Sequence, residues 1–132
     1  MSKSRGNLLR LFAPEKELKK EVMSIVTDST PLEQPKDPDT CTVFKLFSLI
    51  APDDAVKEMR RNYTQGGYGY GHAKKELLHA LLDGFSTERS TFMELMNDRK
   101  ELDAQLAKGA AKARTVAAGV LDRVRKKLGY GR

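Results

Sequence analysis

The sequence has no tryptophan, one cysteine and few aromatic side chains. Aromatic residues make up 7% of the 132 residues, and Cys41 has only His72 and His79 as possible companions at a zinc site. A lone cysteine excludes an internal disulfide and indicates a reducing compartment. We therefore expect no metal site, a core built on Leu, Val, Met and Ala, and a buried Cys41 that acts as a small apolar group.

Long apolar runs are also missing. No stretch approaches the length needed to span a membrane, and the first residues do not resemble a signal peptide. Apolar residues make up 39% and charged residues 32% of the chain, a balance typical of a highly charged helical domain. We expect a cytoplasmic protein with no membrane partner.

The charge that is present is unevenly placed. The formal net charge is +6, and residues 72–132 contain 13 basic and 8 acidic groups. The last 25 residues hold eight basic groups against Asp122 alone. A basic end of this kind favours a polyanionic partner, with nucleic acid the first candidate.

Apolar periodicity predicts an all-α bundle of five to six helices, because every apolar segment repeats at three- and four-residue intervals. Predicted helices cover residues 14–26, 40–50, 52–64, 72–96 (with a kink at 83–87), 98–106 and 110–128, and residues 29–40 form a proline-rich loop. Helix 40–50 and helix 72–96 are expected at the core. Buried stripes are predicted at Leu18, Val22, Ile25 and Val26; at Leu77, Leu78, Leu81, Leu82, Phe85, Phe92, Leu95 and Met96; and at Ala113, Val116, Ala117, Val120, Val124 and Leu128.

Glycines alternate in residues 65–71, Gln-Gly-Gly-Tyr-Gly-Tyr-Gly. A dinucleotide-binding loop needs a preceding strand, and none is predicted here. The segment is better interpreted as a helix–helix connection, with Tyr68 and Tyr70 packed over the core. An intermediate interpretation lets backbone amides and Lys74 bind a phosphate at the start of the next helix.

No spacing of Ser, His, Cys and Asp supports a catalytic triad or dyad. His79 is expected to be semi-buried on its helix, and His72 to cap or pack at a helix start. Asp53 and Asp54 are explained by helix capping.

The first seven residues, Met-Ser-Lys-Ser-Arg-Gly-Asn, could wrap a polyphosphate, although such a terminus taken alone is more often a solvated end. Ser2 and Ser4 offer small donors, and Lys3 offers a point charge. These residues resemble the second signature of class I aminoacyl-tRNA synthetases, Lys-Met-Ser-Lys-Ser, without its first lysine.

Further segments resemble the bacterial tryptophan branch of that family. They are Met-Ser-Ile-Val-Thr-Asp-Ser at 23–29, Tyr-Thr-Gln-Gly-Gly-Tyr-Gly-Tyr-Gly-His-Ala-Lys at 63–74, Gly-Ala-Ala-Lys-Ala-Arg at 109–114 and Val-Arg-Lys-Lys-Leu-Gly at 124–129. The resemblance implies a C-terminal portion of such a synthetase, with residues 1–12 ending the ATP loop and residues 13–132 forming a helical anticodon-binding domain. The parent would join tryptophan to tRNA(Trp) using ATP and Mg²⁺, as a cytosolic homodimer.

By that resemblance, Met1, Ser2, Lys3 and Ser4 are the ATP-binding positions, and Lys3 stabilises the departing pyrophosphate. The tryptophan pocket and the other phosphate signature lie upstream, so the isolated chain is expected to be inactive and to bind no cofactor. Seven cations are candidate tRNA contacts: Arg60, Arg61, Lys74, Lys112, Arg114, Arg123 and Arg125. On a helical wheel, Arg114 and Arg125 flank one side of the last apolar stripe, and Lys112 and Arg123 flank the other.

Two other functions remain open from the sequence. One is a free-standing helical RNA-binding module. The other is a protein-interaction bundle whose basic end is simply a solvated surface.

Overall fold

The computed structural model describes residues 7–130, which form six α-helices and no strand. The helices are α1 Glu15–Met23, α2 Thr42–Ser48, α3 Asp53–Gln65, α4 Tyr70–Gly84, α5 Ser86–Asn97 and α6 Arg99–Lys127. The chain divides into two compact units, Met1–Arg89 and Ser90–Arg132. The predicted all-α class, with five or six helices, is confirmed.

The first unit is built around α4. This helix packs against α1 and α2, and α2 packs against α3. Leu77 and Leu81 lie one turn apart on α4 and are buried, and Tyr63 of α3 is fully enclosed. The remaining buried apolar side chains are Leu18, Val22, Cys41, Val43, Phe44, Phe47, Met59, Ala73 and Leu78. Tyr68 and Tyr70 pack against this core, as predicted.

The proline-rich loop between α1 and α2 is fastened to the end of α3. The Lys36 amide donates to the Tyr63 carbonyl at 2.7 Å, and the Gly67 amide donates to the Leu32 carbonyl at 2.9 Å. Gly66 adopts a φ of 80°, and a Cβ there would lie 2.4 Å from the carbonyl oxygen of Glu33. The glycine turn therefore allows the loop to lie directly against the backbone.

Two boundaries in this unit differ from the prediction. Helix α1 ends at Met23, because the Ser24 hydroxyl and the Ser24 amide both bond the Glu21 carbonyl and tighten the last turn. The chain then turns away, and Val26, predicted to be buried, is 86% exposed. Helix α2 is shorter than predicted and leaves Leu49 at 79% exposure. His79 is exposed rather than semi-buried.

The predicted helix 72–96 is two helices, interrupted at Phe85 inside the predicted kink. Its first part, α4, carries the buried face. On α5 the prediction was wrong for Phe92 and Met96, which are exposed, while Leu95 is half-buried.

Helix α6 is continuous from Arg99 to Lys127, so the predicted break near Lys108 and Gly109 was wrong. The Asp98 side chain caps it by accepting from the amides of Lys100 and Glu101 at 3.1 Å each. A glycine inside a helix costs about 1 kcal/mol relative to alanine, and the many alanines of this long helix offset that cost. The stripe predicted to be buried on this helix is exposed among the described residues: Ala113, Val116, Ala117, Val120, Val124 and Leu128.

Candidate nucleic-acid interface

The predicted ATP-binding residues, Met1, Ser2, Lys3 and Ser4, lie outside the described residues 7–130. Their roles stay predictions.

Arg60, on the outer face of α3, is held by contacts within the protein. Its guanidinium donates twice to the Asp39 carboxylate, at 2.7 and 3.2 Å, and lies 4.9 Å from the Phe44 ring centroid. The hydrogen bond from Arg60 holds the pKa of the Asp39 carboxyl below its usual range. A bidentate pair of this kind fixes the loop to α3 and leaves Arg60 less free to meet a phosphate.

Arg61 and Lys74 are less tightly held. Arg61 lies 4.0 Å from Glu58 and borders an open, charged hollow on α3. Lys74 is half-buried, and its ammonium donates to the Met23 carbonyl at 3.1 Å. An ammonium has three N–H donors, so Lys74 retains donors for a phosphate at the end of α1.

Two cations that sequence reasoning missed bind backbone carbonyls. Lys36 is 4% exposed, and its ammonium donates to the carbonyls of Pro31, Leu32 and Gln34. Arg89 donates to the carbonyls of Leu11 and Ala13. No local pattern distinguishes these two from solvated lysines and arginines, because their partners are carbonyl groups that any residue supplies.

The cations predicted on α6 are arranged differently. Lys112, Arg114, Arg123 and Arg125 are exposed, and none forms an ion pair within the part of the chain that the structure describes. The Asp122 carboxylate instead pairs with Lys126 at 2.9 Å. Positions 112 and 123, like positions 114 and 125, are separated by three turns, about 16.5 Å along the helix. The helix thus presents two lines of unpaired positive charge.

A second feature is a cleft in the first unit. It has a volume of about 310 Å³ and is lined by residues 26–28, residues 40–42 and Tyr70. Cys41 is buried, with its Sγ 3.4 Å from the Tyr63 hydroxyl, and the threonines at 40 and 42 are exposed. Sequence reasoning missed this site, because it brings together three segments that carry no common motif.

Hydrogen bonding orders the polar wall of the cleft. The Tyr70 hydroxyl donates to Asp28 Oδ1 at 2.7 Å, and the Thr30 amide donates to the same oxygen at 2.9 Å. Bonds from Thr30, then from Tyr70, hold the pKa of the Asp28 carboxyl below its usual range. Burial, followed by the bond to Asp28, raises the pKa of Tyr70 to about 12. Near neutral pH the wall therefore presents an ionised carboxylate beside a protonated phenol.

The described residues contain no group of three or more His, Cys, Asp or Glu side chains that could hold a metal ion. No helix within residues 7–130 is both long and apolar enough to cross a membrane.

Solved structures define the class of this fold. The chain matches the tryptophanyl-tRNA synthetase of Campylobacter jejuni complexed with ADP and tryptophan, with a TM-score of 0.87 and 40% identity over 98% of the chain. The match covers 40% of that structure's chain, in its C-terminal domain. The fold is that of a helical domain of an aminoacyl-tRNA synthetase.

The curated relatives that the chain matches are tryptophan–tRNA ligases. The tryptophan–tRNA ligase of Fusobacterium nucleatum is 45% identical over 117 residues, and that of Rhodopirellula baltica is 43% identical over 129 residues. These matches cover 89% and 98% of the chain. The chain spans 36% and 40% of the two relatives' own lengths. No family model matches it. The chain is homologous to the C-terminal part of bacterial tryptophan–tRNA ligases.

Proposed function

We propose that this chain is the tRNA-binding helical part of a tryptophan–tRNA ligase and contacts the anticodon arm of tRNA(Trp). The observation that carries the proposal is the 43% identity to a ligase across 98% of the chain. Two further observations support it. The chain has a net charge of +6, and the described part of α6 carries cations that no acidic side chain neutralises.

The contacts that each cation forms within the protein support a ranking of the candidate tRNA contacts. Arg60 is held by two hydrogen bonds to Asp39, so it is the least available of the candidates for an RNA contact. Arg61 and Lys74 have weaker protein partners and remain available to RNA. The cations on α6 have the greatest freedom, and we assign them the phosphate contacts: Lys112, Arg114, Arg123 and Arg125.

The parent enzyme would activate tryptophan with ATP and Mg²⁺ and transfer it to tRNA(Trp). Lys3 would stabilise the departing pyrophosphate through its positive charge, and Met1, Ser2 and Ser4 would be the other ATP-binding positions. The relative from C. jejuni was solved with ADP and tryptophan, which supports these substrates. We further propose a cytoplasmic homodimer for the parent, and no ATP turnover by this chain alone.

The test is a filter-binding titration of the chain with tRNA(Trp) at several salt concentrations. Three to five phosphate contacts on unpaired RNA predict a slope of log affinity against log salt of about −2 to −4. Binding that ignores salt, or no binding at low salt, would contradict the proposal.

Paired variants then identify the RNA-facing side of α6. Lys112→Ala with Arg123→Ala removes one line of charge, and Arg114→Ala with Arg125→Ala removes the other. The double variant on the RNA side is expected to reduce the salt slope by about 1 to 2, whereas the opposite pair leaves it unchanged. Lys57→Ala, an exposed lysine on α3, is the control for loss of a surface charge elsewhere.

A further inference from the structure

The cleft lined by residues 26–28, residues 40–42 and Tyr70 has the properties of a ligand site. Its volume of about 310 Å³ lies at the lower end of the range for small-molecule pockets. Val26 is 86% exposed beside it, an unusual position for a branched apolar side chain next to an ordered polar wall. An exposed valine and the threonine methyl groups offer apolar contact to a flat ligand.

The polar wall determines the chemistry of that ligand. The Thr30 amide and the Tyr70 hydroxyl both bond Oδ1 of the Asp28 carboxylate, so Oδ2 keeps a lone pair that can accept from another donor. An ionised carboxylate repels phosphate and accepts hydrogen bonds from N–H groups. The ligand is therefore expected to carry an amino group and no negative charge at this point.

Unpaired RNA bases meet that description. Proteins read single-stranded RNA by separating its bases, packing them on side chains and bonding their edges. Carboxylates accept from the exocyclic amine of cytosine, and adenine and guanine also carry such an amine. Lys74, bonded to the Met23 carbonyl just before this segment, supplies a cation for the neighbouring phosphate.

We propose that the cleft holds one unpaired base of the bound tRNA and that Asp28 accepts a hydrogen bond from the exocyclic amino group of that base. Tyr70 positions the carboxylate, and Val26 packs against the base. This inference rests on the proposed function and assigns one specificity-determining residue within it. Uridine is expected to bind this cleft weakly, because it lacks the exocyclic amino group and its one donor, N3–H, lies between two carbonyl oxygens that a carboxylate repels.

The test is a binding cycle with the 132-residue chain and anticodon stem–loop RNAs. Each loop base is replaced in turn by uridine, and every RNA is titrated with the unaltered chain and with Asp28→Asn. Charge-assisted hydrogen bonds are about twice as strong as neutral ones, so Asp28→Asn is expected to weaken binding of the unaltered loop about fivefold. For one replaced base, that difference should disappear.

Asp54→Asn is the matched control, because it also removes one negative charge, from a fully exposed side chain on α3. It is expected to leave affinity unchanged or slightly higher for every RNA. Val26→Ala provides a second variant that leaves the buried core intact, and we expect a two- to threefold loss confined to the same base. Circular dichroism confirms that each variant is folded.

The outcomes are distinguishable. If the unaltered chain binds no RNA, both the proposed function and the base pocket are wrong. If binding is salt-dependent but Asp28→Asn weakens every RNA equally, or behaves like Asp54→Asn, only the base pocket is wrong. Competition by free cytidine, adenosine or guanosine at the concentration of the RNA would instead assign the cleft to a free nucleoside.

Discussion

Replacing Lys36 by methionine tests how the proline-rich loop is held against the first unit. Lys36 is the buried cation of this loop, with its ammonium 2.8 Å from the Pro31 carbonyl and 5.3 Å from the centre of the Tyr70 ring. Methionine retains most of the aliphatic stem and removes the charge and all three N–H donors. The variant therefore separates the hydrogen bonds from the packing.

The expected loss in the free energy of unfolding is about 2–4 kcal/mol. A hydrogen bond from a charged donor contributes about 1.5–3 kcal/mol, and the bond to Pro31 has the best distance of the three. The bonds to Leu32 and Gln34, at 3.3 and 3.2 Å, are longer and contribute less. A cation–π contact adds about 0.5–1 kcal/mol. Methionine avoids the cost of desolvating a buried ammonium, which offsets part of this total.

Urea unfolding monitored by far-ultraviolet circular dichroism measures the change. Lys57→Met is the matched control, because Lys57 is a lysine on α3 whose side chain is 77% exposed, and its replacement is expected to change stability by under about 0.5 kcal/mol. Limited proteolysis gives a local readout, since the loop is expected to become a cleavage site in Lys36→Met before the core unfolds. A loss for Lys36→Met as small as that of the control would refute the reasoning.

Three other predictions follow from the same structure and from the family resemblance. Leu81→Ala is expected to cost about 2–5 kcal/mol in urea unfolding, through lost burial and a cavity beside α4; a loss under about 0.5 kcal/mol would place Leu81 outside the core. Arg60 lowers the pKa of Asp39 in the folded state. The Arg60–Asp39 pair therefore stabilises the fold above the unfolded pKa of about 4, and this stabilisation is lost as pH falls through the folded pKa. The free energy of unfolding should therefore decline from about pH 5 toward pH 2, and Asp39→Asn should flatten that decline. If Asp39→Asn leaves the pH profile unchanged, the Arg60–Asp39 pair does not cause the decline. In the full-length ligase, Lys3→Ala should slow adenylate formation with tryptophan binding unchanged, and normal pyrophosphate exchange would exclude Lys3 from the step.

The core of the first unit was predictable because local pattern and tertiary packing agree there. Leu77 and Leu81 recur at helical spacing and lie on the buried face of α4. The glycine turn was predicted from residue type alone, and Gly66 and Gly67 both have positive φ. Such periodicity predicts the buried face of a helix even when the element that packs against it is unknown.

The errors arose where the partner of an apolar face decides burial. Val26 and Val120 fit apolar stripes by spacing, yet both are exposed, because the chain turns after α1 and because α6 has no buried side chain among its described residues. The burial of Lys36 was missed because it depends on backbone partners rather than on an apolar pattern. Its carbonyl partners converge only when the loop folds, and no sequence pattern records that convergence. The Asp28 cleft likewise exists only once three distant segments meet.

The continuous helix α6 has a consequence for how the chain unfolds. Its backbone hydrogen bonds lie under side chains that are exposed along nearly the whole helix, so tertiary contacts within the described residues protect few of them. Amide hydrogens in such a helix exchange with solvent through local fraying, whereas exchange in α4 requires the buried core to open. Hydrogen exchange should therefore divide the amides of this chain into a fast class and a slow class. A single melting temperature would describe the first unit and misrepresent α6.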